Sequence, residues 1–90
     1  MQFEWDEAKN ALNIRKHGID FADVMDMFNY PMLTLLDDRE VYGEERWIGI
    51  GWMQKMVGVV VYVELHEDTI RIISARKATK HEVHRYEQSI

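Results

Sequence analysis

The stretch IRIISARKATKHEVHRYE, residues 70–87, gathers Arg71, Ser74, Arg76, Lys77 and Lys80 across one strand-to-helix passage. A forked guanidinium, an ammonium, a hydroxyl donor and a helix N-terminus are the parts of a phosphate site. Cations in a first helical turn oppose the helix dipole, so their presence there points to an expected anion. The competing arrangement pairs Arg71 and Arg76 with the acidic loop, at Glu44 or Glu45, as ordinary surface ion pairs. Arg46 presents the same choice: it opens RWIGIGWM at the edge of an apolar stripe and needs either a carboxylate or a ligand phosphate beside it. Lys16 and His17 close the first helix, where basic residues suit the carbonyl end of the dipole. Trp47 and Trp52 read first as packing, with stacking on an unpaired base as the other use.

Other chemistries are weaker. His81 and His84 have the i, i+3 spacing of two metal ligands but lack a third of good quality, so zinc is not expected. Asp37, Asp38, Glu40, Glu44 and Glu45 could hold magnesium for a two-metal nuclease. Clustered carboxylates repel unless a cation is bound, and the reading adopted is a solubilising loop. There is no cysteine, which removes disulfides and thiol catalysis. No Walker loop, dinucleotide fingerprint or nucleophile elbow is present. Neither a metal nor a cofactor is expected.

These residues need a scaffold, and 90 residues predict one domain, 1–90, with a real core. The formal net charge of −5 is uneven. Residues 1–45 hold eleven acidic against four basic side chains, and residues 46–90 hold five against seven. That balance argues against wholesale nucleic-acid coating but leaves room for a local basic site. MQFEWDEAKN shows neither a basic n-region nor an apolar h-region, so export is not expected, and the longest apolar run, Val57 to Val63, is too short to span a bilayer. A cytoplasmic protein without membrane contact is expected.

Along the chain, FEW predicts a short strand. Asp6 caps a helix over 7–17, with Ala8, Ala11, Leu12 and Arg15 on its inner face, and Gly18 follows in a left-handed position. Asp20 begins a second helix ending near Asn29, with Phe21, Val24, Met25 and Phe28 inward. MLTLL, RWIGIGWM, VGVVVYVEL and IRIISAR follow as strands, and Gly49 and Gly51 leave room for a helix over one face. Thr79 and Glu82 form a capping box for the last helix, with Ala78 and Val83 as its staple. The fold class is α+β: a single twisted, mainly antiparallel sheet with two N-terminal helices and one C-terminal helix.

Three blocks taken together resemble a known family. FEWDEAKNALNIRKHGIDFADVMDMF, GEERWIGIG and IRIISARKATKHEVHRYE are similar, in order and spacing, to the BrnT-type toxins. The resemblance implies a RelE-like fold and a toxin of a type II toxin–antitoxin pair that cleaves RNA and arrests translation. It implies a BrnA-like ribbon-helix-helix antitoxin as partner, with operator DNA bound only through the complex. It carries over Lys16, His17, Glu45, Arg46, Trp47, Ser74, Arg76 and Tyr86 as motif positions. With those, the expected mechanism uses Arg46 and Arg76 as phosphate clamps. Glu45 or His17 serves as base, and His17 or Tyr86 as acid. Lys16, Trp47, Arg71, Ser74, Lys77 and Lys80 are expected to bind RNA. The alternative is a non-catalytic module that acts through protein-partner binding.

Overall fold

A computed structural model describes residues 1–90. The element order is β1 (Gln2–Glu4), α1 (Glu7–His17), two 3-10 turns (Phe21–Asp23 and Met25–Asn29), β2 (Leu33–Asp37), β3 (Arg46–Met53), β4 (Met56–Leu65), β5 (Thr69–Lys77) and α2 (Lys80–Ser89). The strands form one five-stranded sheet in the order β1-β5-β4-β3-β2. β2 to β5 pair antiparallel in succession. β1 joins β5 in parallel, with Phe3 opposite Ile70, so the sheet is mixed. No helix is long and apolar enough to cross a membrane.

Local chemistry sets the boundaries. Asp6 accepts hydrogen bonds from the backbone N–H groups of Ala8 and Lys9, and Gly18 ends α1 at φ 71° with its N–H on Ile14 O. Thr79 and Glu82 close the expected capping box on α2, which satisfies amides the helix leaves unpaired. The segment after Asp20 differs from expectation. Phe21, Val24 and Met27 are fully buried and recur every third residue, the period of a 3-10 helix rather than an α-helix. The second N-terminal helix is therefore two short 3-10 turns. The glycine pair also finds a different neighbour. A Cβ on Gly51 would stand 2.7 Å from Met32 Cγ, and one on Gly49 3.0 Å from Met32 Sδ. The space is filled by the Pro31–Met32 entry to β2, not by a helix.

Each face of the sheet carries its own core. On one, Val60, Tyr62, Ile70, Ile72 and Met53 pack against Phe21 and Met27 from the 3-10 turns and Val24 between them. On the other, Ile50, Val57 and Val59 meet Ala78 and Tyr86 around α2.

α1 is held in a way its apolar residues do not explain. Leu12 and Ile14 are exposed, and the buried residues are Asn10 and Asn13. β1 has only three residues, so the outer edge of β5 beyond Arg71 has no strand beside it. Asn13 occupies that edge. Its amide nitrogen donates to Ala75 O at 2.9 Å and its oxygen accepts from Ala75 N at 3.1 Å. Its second N–H reaches Ile19 O at 2.9 Å. Asn10 joins the following turn, accepting from Phe21 N and donating to Asp20. Buried amides satisfied in this way act as a one-residue strand, and removing one orphans several backbone groups. Asn13→Ala is expected to lower unfolding free energy by about 3 kcal/mol. Leu12→Ala should change it by under about 0.5 kcal/mol. Urea denaturation of the two variants checks the contrast, and equal losses would contradict it.

Candidate active site

The register puts one row of side chains on the α2 face of the sheet. Asp37 lies opposite Arg46, Leu35 opposite Ile48 and Leu33 opposite Ile50. Across β4, Val61 pairs with Ser74 and Val59 with Arg76. α2 covers only the end of this face near Ile50 and Val57. The remainder opens as a cleft of about 290 Å³. Its floor is Ile48, Val59 and Val61, and its walls are Lys16, His17, Arg39, Ser74 and Arg76. Over the shoulder of α1 it continues into an open groove of about 520 Å³ bordered by Lys9, Leu12, Arg15 and Ile73.

Lys16 and His17 reach the cleft because Asn13 fixes the last turn of α1 beside β5. Ser74 sits at a register irregularity: Val61 pairs with Ser74 but Tyr62 with Ile72, leaving Ile73 as an extra residue. Bulges of this kind re-aim side chains next to functional sites.

Arg76 is tied to α2. Its Nη1 and Nη2 donate to the two Glu82 carboxylate oxygens at 2.8 and 2.9 Å. Glu82 Oε1 also accepts from Thr79 N at 2.8 Å. One carboxylate thus caps the helix and orients the guanidinium. The Arg76 hydrogen bonds hold the Glu82 carboxyl down to about 2, and the same bonds raise Arg76.

Arg39 is the residue sequence reading missed. It stands in the acidic loop and clamps Asp37 through Nε and Nη2, both at 2.7 Å. The Asp37 side chain is 0% exposed and that of Arg39 is 63% exposed. The Arg39 hydrogen bonds keep Asp37 below its ordinary range. Arg39 is also near enough for its charge to oppose that of Arg76. The signal was present in the alternation of Leu33, Leu35 and Asp37, which puts a carboxylate on an inward position.

Several expected site residues lie elsewhere. Arg46 shares the cleft face, but β-strand spacings place it about 13 Å further along and two strands over from Arg76. It stacks on the Tyr42 ring at 4.1 Å, and its buried Nε lies 3.9 Å from a Glu44 carboxylate oxygen without a hydrogen bond. Arg39, not Arg46, faces Arg76. Glu45 is exposed in the preceding loop. Tyr86 is 1% exposed and its hydroxyl donates to Pro31 O at 2.9 Å, so it pins α2 to the β2 entry and does not line the cleft. Trp47 packs in the core on the opposite face, because it alternates with Ile48. Arg71 pairs with Glu4 on β1 at 3.1 Å, not with the acidic loop. Lys77 and Lys80 are exposed outside the cleft, and no group of three or more His, Asp or Glu side chains converges.

A mixed sheet gathers Lys16, Arg39 and Arg76 over one uncovered patch, on a chain of net charge −5. The family of ribonuclease toxins, BrnT, of type II toxin–antitoxin systems matches over residues 5–82, and the chain belongs to that family. The 1.1 Å crystal structure of the Brucella abortus ribonuclease toxin BrnT is similar, with a TM-score of 0.67 and 28% identity over 89% of this chain and 99% of that one. No curated protein matches the chain significantly.

The Arg76–Glu82 pair carries a pH signature. Because Glu82 lies below its ordinary 4.5, the pair's contribution to stability is complete above that value and is lost as pH falls toward about 2, as proton linkage requires. Glu82→Gln removes this component. Thermal melts over that acid range should show the wild type losing stability more steeply than the variant, and parallel slopes would contradict the assignment.

Proposed function

We propose that this chain is an endoribonuclease toxin that cuts single-stranded RNA in the cleft without a metal ion. The single observation that carries the reading is the grouping of Lys16, His17, Ser74 and Arg76 around one apolar-floored cleft. Cleavage needs a base for the ribose 2'-OH, cations for the phosphorane and an acid for the leaving 5'-oxygen. His17 takes the 2'-OH proton, a role suited to a side chain type that titrates near working pH. The 2'-oxygen bonds to phosphorus as the bond to the 5'-oxygen breaks, leaving a 2',3'-cyclic phosphate. Lys16 supplies the proton to the departing oxygen. Arg76 holds the phosphate, and Ser74 donates its hydroxyl beside it. A regular duplex resists the in-line rotation of the 2'-OH, which selects single strands. Arg46, Glu45, Arg71, Lys77 and Lys80 stand outside the cleft and fit contacts to flanking nucleotides.

The wider reading follows the family. The fold is RelE-like, one domain acts alone as the toxin, and RNA cleavage in the cytoplasm arrests translation. A BrnA-like ribbon-helix-helix antitoxin neutralises it, and operator DNA is engaged only through that complex.

Incubation of the purified protein with a single-stranded RNA should give cyclic-phosphate ends, undiminished by EDTA and suppressed by the antitoxin. Arg76→Ala and His17→Ala should each lower kcat by about 100-fold while far-ultraviolet circular dichroism stays native. Wild-type rates in both variants, or activity lost to EDTA and restored by magnesium, would overturn the reading.

A further inference from the structure

We propose that Arg39 is a substrate-contacting residue that grips the phosphodiester opposite Arg76, and that buried Asp37 is the residue that positions it. This rests on the reading of the cleft as the RNA-cleavage site.

Stability does not account for the pair. Asp37 continues the stripe of Leu33 and Leu35 on the sheet face, where an aliphatic residue would pack without desolvating a charge. Replacing buried ion pairs by apolar residues is often neutral or stabilising. Nor is Asp37 there to neutralise Arg46, its direct cross-strand neighbour: the carboxylate turns to Arg39, while Arg46 Nε has no hydrogen-bond partner and only a 3.9 Å ion pair with Glu44.

The guanidinium geometry is suited to a bound phosphate. Each arginine has five N–H donors in a planar fork. Arg39 spends the side formed by Nε and Nη2 on Asp37, which leaves the end formed by Nη1 and the outer Nη2 hydrogen. Arg76 spends its Nη1–Nη2 end on Glu82 and the outer Nη1 hydrogen on Lys77 O at 3.3 Å. That leaves Nε and one Nη2 hydrogen. Each guanidinium therefore keeps one adjacent pair of donors, and both line the same cleft. A phosphodiester has two non-bridging oxygens, one for each pair. Arg39 and Arg76 are near enough for their like charges to oppose each other across the cleft, and a phosphate held between them offsets that repulsion.

The test uses the full chain, a single-stranded RNA oligonucleotide, and its fully 2'-fluoro counterpart, which cannot supply the attacking oxygen. Arg39→Ala should lower kcat/KM about 100-fold and reduce the slope of log affinity against log salt for the 2'-fluoro strand by about 0.7. Arg39→Lys keeps the charge but not the fork and should recover the slope while regaining little of kcat/KM. Asp37→Asn should keep the salt slope, lower kcat/KM, and so show positioning without charge. If Arg39→Ala melts early because Asp37 is left unpaired, the Asp37→Asn, Arg39→Ala double variant replaces it. Native kcat/KM and salt slope in a folded Arg39→Ala or double variant overturn the proposal. If the wild type does not cut RNA, the ribonuclease reading fails on its own, and the 2'-fluoro salt slope alone supports or overturns Arg39 as a phosphate contact.

Discussion

The pairing of the Asn13 side chain with the backbone of Ala75 is the constraint from which the rest of the site follows. A three-residue β1 pairs with only Thr69, Ile70 and Arg71 of β5 and leaves the rest of that edge without a strand, and unpaired backbone groups are costly to bury and prone to recruit another chain. Asn13 meets both Ala75 groups and closes the edge from a helix. α1 therefore stands against β5 without an apolar seam. Its basic last turn comes to rest over Ser74, on the sheet face α2 leaves uncovered. The same contact frees Leu12 and Ile14 to remain at the surface.

The cleft's guanidinium groups are held by a second device. Arg39 comes from the loop after edge strand β2 and Arg76 from β5, three strands away in the sheet order, and each is locked by a carboxylate in a bidentate pair. Lysines and arginines on loops lose considerable rotamer entropy when they bind a ligand. Here much of that ordering has already happened in the folded chain, which is the preorganisation that charge-stabilising sites require. Glu82 serves the α2 cap and Arg76 at once, so the end of the helix and the wall of the cleft are one structure.

Much of this was legible in the residues, and the parts that were not share a cause. Asp6, Gly18 and the Thr79–Glu82 box mark helix ends by local hydrogen bonding, which sequence displays directly. The strands showed by their alternation. Asn13 was unreadable as an anchor because its burial depends on a partner 62 residues away, and Asn10, bound to the turn ten and eleven residues on, because a helical pattern search weighs only apolar positions. The 3-10 turns were missed although Phe21, Val24 and Met27 carry the three-residue period, because Met25 and Phe28 fit an α-helical stripe equally well. Lys16, His17, Ser74 and Arg76 were singled out and do meet. Arg46 was given chemistry as a charge at the edge of an apolar stripe and Tyr86 as a motif position, but Tyr86 is buried against Pro31 and Arg46 is four strand positions beyond the level of Arg76. Arg39 looked like part of a solvated loop until the buried carboxylate beneath it was seen.

The central claim is that cations tethered around the C-terminal half of β5 form a site for a phosphodiester. Chemical-shift mapping by nuclear magnetic resonance with a 2'-deoxy dinucleotide tests it most directly. The account predicts that the backbone amides of Lys16, His17, Ser74 and Arg76 and the Nε–H signal of Arg39 move together and saturate at one affinity. Shifts confined to Arg71, Lys77 and Lys80, with the cleft signals unmoved, would contradict it.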